Sequence, residues 1–124
     1  MQRIFICLFI AGLAAMQSIF AQPQDTTSCT KTTVALEQAT TILSALSTAQ
    51  KRDSITINSL VNISRKAHDD ALSCKSHLTA MMILATSESA RKLLAADNIL
   101  MFRMAVRDTR LFLDEAKRYW EKRQ

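Results

Sequence analysis

Past residue 21 this chain has no glycine. Its one glycine, Gly12, lies earlier, and its one proline, Pro23, follows almost at once. Type I′ and II′ hairpin turns need positive φ, which glycine supplies most readily. A glycine-free stretch of this length is a poor β-sheet sequence. The same absence removes the glycine-rich loops that cradle phosphates. A nucleophile elbow, a zinc signature and a paired-carboxylate constellation are missing too. The two histidines, His68 and His77, are nine residues apart and do not share a helix face at metal-ligand spacing. In His68-Asp69-Asp70, neighbours in sequence point in different directions around a helix. These absences predict an all-α protein with no enzymatic activity, no cofactor and no metal.

What is present begins with Met1-Gln2-Arg3, an apolar block from Ile4 to Met16, and small or weakly polar residues ending at Ala21. A basic start, a short apolar core and a small residue before Gln22-Pro23 make a secretory signal peptide over 1–21. The block is short for a bilayer span, so no stable membrane insertion is expected after cleavage. A retained signal anchor is the alternative. The remainder, 22–124, is one domain of 103 residues, secreted and extracellular. It keeps 15 basic and 11 acidic residues, a net +4 that is small and interspersed. That balance does not point to nucleic acid.

Cys7 leaves with the signal, so Cys29 and Cys74 remain, an even count in an oxidising route. Their pairing has a geometric argument. Leu36, Ala39, Leu43 and Leu46 are spaced 3, 4 and 3, one face of a helix. Ile57, Leu60, Ala67, Ala71 and Leu78 repeat the rhythm if Ser64 and Cys74 fill the gaps. Between the two runs, Lys51 and Arg52 suit a helix C-terminus, and Asp53 or Ser54 suits the next N-cap. Folding the chain antiparallel about position 51.5 sets Leu46 opposite Ile57, Leu43 opposite Leu60, and Cys29 opposite Cys74. Facing Cα atoms of helices roughly 10 Å apart lie about 5–6 Å from each other, a span a disulfide bridges. Closing that 46-residue loop contributes about 4 kcal/mol through loop entropy.

The spacing predicts a first helix over about 28–50 and a second from about 54 to 85. The polar run Thr86-Ser87-Glu88-Ser89 then serves as a turn, and a third helix runs from about 87 to Tyr119 or Trp120. The result is an up-down-up three-helix bundle with one interhelical disulfide. Folding about position 87 would put Trp120 beside Ser54. A break at Asp97-Asn98 would instead give four shorter helices.

Two further features carry functional readings. Asn62-Ile63-Ser64 is an N-glycosylation sequon, and Asn62 lies about 100° around the helix from the apolar Val61, on the solvent side. The last helix has more apolar surface than one seam needs. Ala90, Leu94, Met101, Ala105, Phe112, Ala116 and Tyr119 form a broad face, widened by Phe102, Val106, Leu113 and Trp120. Leu93, Leu100, Met104 and Leu111 form a second, narrower stripe. Either this helix is central in the bundle, or the second stripe meets an extracellular protein or receptor, a second copy, or a lipid.

A signal peptide, Cys29 and Cys74 as the only later cysteines, a start rich in Thr26, Thr27, Thr30, Thr32 and Thr33, and a basic last helix carrying Trp120 form a recognisable layout. In layout the whole chain resembles the small secreted male accessory-gland (seminal fluid) proteins of fruit flies. The resemblance implies transfer in seminal fluid and a role in reproduction, in post-mating response or sperm competition. It supplies no catalytic residues. The alternatives are an extracellular carrier of a small apolar ligand, and a helical cytokine-like ligand or inhibitor.

Overall fold

The structure, a computed structural model, describes the backbone of residues 23–49 and 51–123, with side chains from Thr27 onward. The predicted signal peptide, residues 1–21, lies outside the described residues. Among the described residues four helices follow one another: α1 (Pro23–Ala49), α2 (Ser54–Ser73), α3 (His77–Leu94) and α4 (Ile99–Lys122). No strand occurs among the described residues. The all-α expectation holds, but the bundle has four helices rather than three.

The first turn is where the sequence puts it. Asp53 is the N-cap of α2, accepting hydrogen bonds from the backbone N–H of Ile55 at 3.1 Å and of Thr56 at 3.4 Å. The Thr56 hydroxyl also donates to it at 2.8 Å. These bonds stabilise the carboxylate. The hydroxyl first, then the two N–H groups and the nearby Lys51, hold its pKa below the ordinary carboxylate value.

The second turn is a correction. The helix expected to run through to about 85 stops at Ser73, and Cys74-Lys75-Ser76 turns the chain. The N–H of Ser76 bonds to the carbonyl of Ala71, and the N–H of Lys75 to that of Leu72. This is a Schellman closure, whose left-handed position is normally glycine. Here Lys75 takes it, at φ 63°. The periodic pattern ran straight through because no glycine marks the stop. Leu78, assigned to the second helix's stripe, lies past the turn and is 56% exposed.

The turn expected at Thr86–Ser89 is absent, because all four residues lie inside α3. Thr86, Ser87 and Ser89 are buried. The Thr86 hydroxyl donates to the Met82 carbonyl at 2.8 Å, and that of Ser87 to the Leu84 carbonyl at 2.9 Å. A hydroxyl satisfied by its own helix is not a chain break. The break alternative at Asp97-Asn98 is the one realised. Asn98 is the N-cap of α4, accepting from the Met101 N–H at 2.9 Å.

Each helix packs on the next, α4 returns to α1, and the diagonal pairs α1–α3 and α2–α4 do not approach. That is an up-down-up-down bundle with a central core. Leu36, Leu43 and Leu46 from α1 and Ile57, Leu60, Val61 and Ala67 from α2 are all buried, as the fold-back about position 51.5 requires. Ile83, Ala90 and Leu93 of α3 and Phe102, Val106, Leu113 and Trp120 of α4 complete the core. Cys29 and Cys74 are disulfide-bonded, with their Cα atoms 5.3 Å apart.

Adding a helix moves the C-terminus to the other end of the molecule. Trp120 does not reach Ser54. Its indole N–H donates to the Thr33 hydroxyl at 3.0 Å, beside the first turns of α1. The first turn meets the third instead. The Arg52 guanidinium donates to the carbonyls of Leu94 and Ala96, each at 3.0 Å. A cation suits a helix C-terminus, but the helix that Arg52 caps is α3, not the one it follows.

Candidate functional site

No group of three or more His, Cys, Asp or Glu side chains gathers at metal-binding distance among the described residues. His68 and Asp69 do meet, with Nδ1 3.2 Å from Oδ1, although neighbours along a helix diverge at Cβ. The pair sits at the surface. No described helix is long and apolar enough to cross a membrane.

The candidate site is the outer side of α4. A helix in a ring of four buries one face and presents the other to solvent. Phe102, Ala105, Val106, Thr109, Leu113, Ala116 and Trp120 take the buried face. Leu100, Met104 and Leu111 recur at intervals of 4 and 7 on the opposite face, 65%, 57% and 55% exposed. The predicted broad face is thus largely core, although Met101 and Phe112 at its margin are exposed. The reading of this helix as central is corrected, since α4 is one of four equivalent wall helices.

Leu93 does not join the stripe. It lies on α3, is 0% exposed, and belongs to the core. The break at residues 95–98 ends the helical phase that linked it to Leu100 in sequence. The stripe therefore has three members.

Beside it runs a feature the apolar pattern did not reveal. The α1–α4 seam has the fewest close backbone approaches of the four. A groove of about 340 Å³ opens along it, lined by Ser47 of α1 and by Phe102, Arg103, Arg107, Arg110 and Leu111 of α4. Arg103, Arg107 and Arg110 follow a 4 and 3 spacing, which could have been read from the sequence as a basic row flanking the stripe. Asp114 adds a carboxylate to the lining. Further down the seam, Thr33, Leu36, Glu37, Lys117 and Trp120 line a second groove, where Trp120 ties α4 to α1. Arg123 lies over the Trp120 ring, 3.5 Å from its centroid. These concavities are open to solvent.

Asn62 is exposed on α2, as the sequon requires, while Ser64 two residues on is buried. No protein-family model, curated protein or solved structure matches this chain.

Proposed function

We infer that this is a secreted, non-enzymatic helical protein that works by protein–protein contact through the outer face of α4. Its setting is reproduction, as a seminal-fluid protein of the accessory-gland kind. The observation that carries the contact reading is the stripe Leu100, Met104 and Leu111, each more than half exposed on an ordered helix. Single exposed apolar residues are ordinary, but three in one line bordered by arginines form a surface worth burying. Methionine adapts to an irregular partner surface. The partner that fits is an extracellular protein with an apolar strip edged by carboxylates, complementary to Arg103, Arg107 and Arg110. A symmetric second copy fits less well, since pairing about the centre of the row sets Arg107 against Arg107.

Secretion is supported by the signal-peptide pattern of residues 1–21 and by a disulfide that suits an oxidising compartment. The reproductive setting rests on the layout resemblance. Male-specific glandular expression and appearance of the protein in the mated female are the expected results. Expression confined to another tissue would remove that setting and leave the contact reading in place. Leu100→Glu with Leu111→Glu is expected to keep the folded circular-dichroism spectrum and abolish the recipient's response. A response equal to wild type would sink the α4 reading. Native mass spectrometry of the natural protein separates the runner-up, because a co-purifying lipid mass would support a carrier of apolar ligands.

A further inference from the structure

Among the described residues, most buried hydroxyls have a partner, and Ser64 carries the one fully enclosed side-chain oxygen that has none. Thr32, Thr86, Ser87 and Thr109 each donate to a carbonyl three or four residues back. Ser76 donates to Thr79 at 2.7 Å. The Ser64 side chain is 3% exposed, and its hydroxyl has no hydrogen-bond partner. Burying a hydroxyl unpaired is unfavourable, and alanine would fill the same place on α2 without that penalty. The fold therefore gives no reason for the oxygen at position 64.

The sequence does give one. Ser64 is the hydroxyl residue of Asn62-Ile63-Ser64, and enzymatic N-glycosylation requires that hydroxyl two residues after the asparagine. Asn62 is exposed on the side of α2 opposite its core residues Leu60, Val61 and Ser64. We propose that Asn62 carries an N-linked glycan and that Ser64 is retained in the core as the acceptor-site hydroxyl, not for folding. The inference rests on the secretion reading, since the sugar is added in the secretory pathway. In the reaction the Asn62 amide nitrogen attacks the anomeric carbon of a lipid-diphosphate-linked oligosaccharide. A C–N bond replaces the C–O bond, the lipid diphosphate leaves, and the amide gives up one proton.

Two consequences follow from the packing. Once α2 has docked, the Ser64 hydroxyl is out of reach, so the sugar is added to the chain before it folds. The glycan also stands clear of the α4 surface, because α2 and α4 are diagonal in the bundle and their outer faces point away from each other.

The test is translation of the full chain with microsomes, followed by secretion from insect cells. Signal removal and protease protection report translocation independently of the sugar. The expected result is a processed chain whose gel band shifts on N-glycanase treatment, with Asn62 converted to Asp in its peptide. Asn62→Gln and Ser64→Ala should each abolish the shift. Unglycosylated Ser64→Ala should melt at a higher temperature than unglycosylated wild type. A translocated, processed chain with Asn62 unmodified overturns the proposal alone, as does a Ser64→Ala protein that melts lower. A chain that never enters the microsomes overturns the secretion reading and this proposal together.

Discussion

Helices α3 and α4 are neighbours, and they treat polarity in opposite ways. Within α3, Thr79, Thr86, Ser87 and Ser89 face the core, while Leu78, Met81 and Leu84 are exposed. α4 buries one hydroxyl, Thr109, under a mainly apolar core face and leaves Leu100, Met104 and Leu111 outside. The contrast teaches that burial in a helix follows position on the wheel and local satisfaction, not the hydropathy of each residue. A threonine that returns its hydrogen to the carbonyl one turn back is close to apolar in effect. A leucine with no helix opposite it stays wet whatever its hydropathy.

The strongest way to break the comparison is to place one carboxylate on each side of it. Thr86→Glu buries a charge with no partner and should lower stability by roughly 4–5 kcal/mol or prevent folding. Leu100→Glu should change it by no more than about 0.5 kcal/mol. Urea midpoints of the two variants decide, and equal losses would mean that the α4 stripe is not a free surface. Next is the staple before α3. Replacing Cys29 and Cys74 together by serine should remove about 3–4 kcal/mol, read from the same midpoints. A loss near zero would show that the start of α1 holds its place against the end of α2 without covalent help.

Smaller effects sharpen the ends of α3. Arg52→Ala strips the carbonyls of Leu94 and Ala96 of their charged donor and should cost about 1 kcal/mol. Lys75→Gly relieves the left-handed residue before α3 and should add about 1 kcal/mol. Both are read by thermal melting, and the two shifts should have opposite signs. The last concerns acidity. The folded Asp53 pKa is lowered, so its stabilising contribution is complete above the ordinary carboxylate pKa and is lost as pH falls through the lowered value. Asp53→Asn keeps an acceptor at the N-cap but does not titrate there. The melting difference between wild type and Asp53→Asn should therefore shrink on acidification across that window and stay flat above it.

The same contrast explains what could be read in advance. The α1–α2 hairpin and its cysteine pairing were legible because Leu43, Leu46, Ile57 and Leu60 keep strict helical phase on both sides of a charged turn. The break at Asp97-Asn98 was legible, though only as an alternative, and the cap role of Asn98 was not. The turn at Lys75 was not, since lysine carries no sign of a left-handed backbone. The false turn at Thr86–Ser89 came from reading hydroxyls as breakers. At the candidate site, the spacing of Leu100, Met104 and Leu111 was visible in the sequence. Leu93 shares that spacing in the sequence but not the helix, because the break at 95–98 resets the helical phase. The arginine row was visible in spacing but gained meaning only when α1 was found beside it.

The bond from Trp120 to Thr33 has a practical consequence. The chain contains a single tryptophan, so every photon of indole emission comes from the junction where the last helix meets the first. Wavelength and quenching of that emission amount to an optical gauge, present in the unaltered molecule, of whether the ring of helices is shut. A partner that pries α1 from α4 would announce itself as a red shift, with no dye attached.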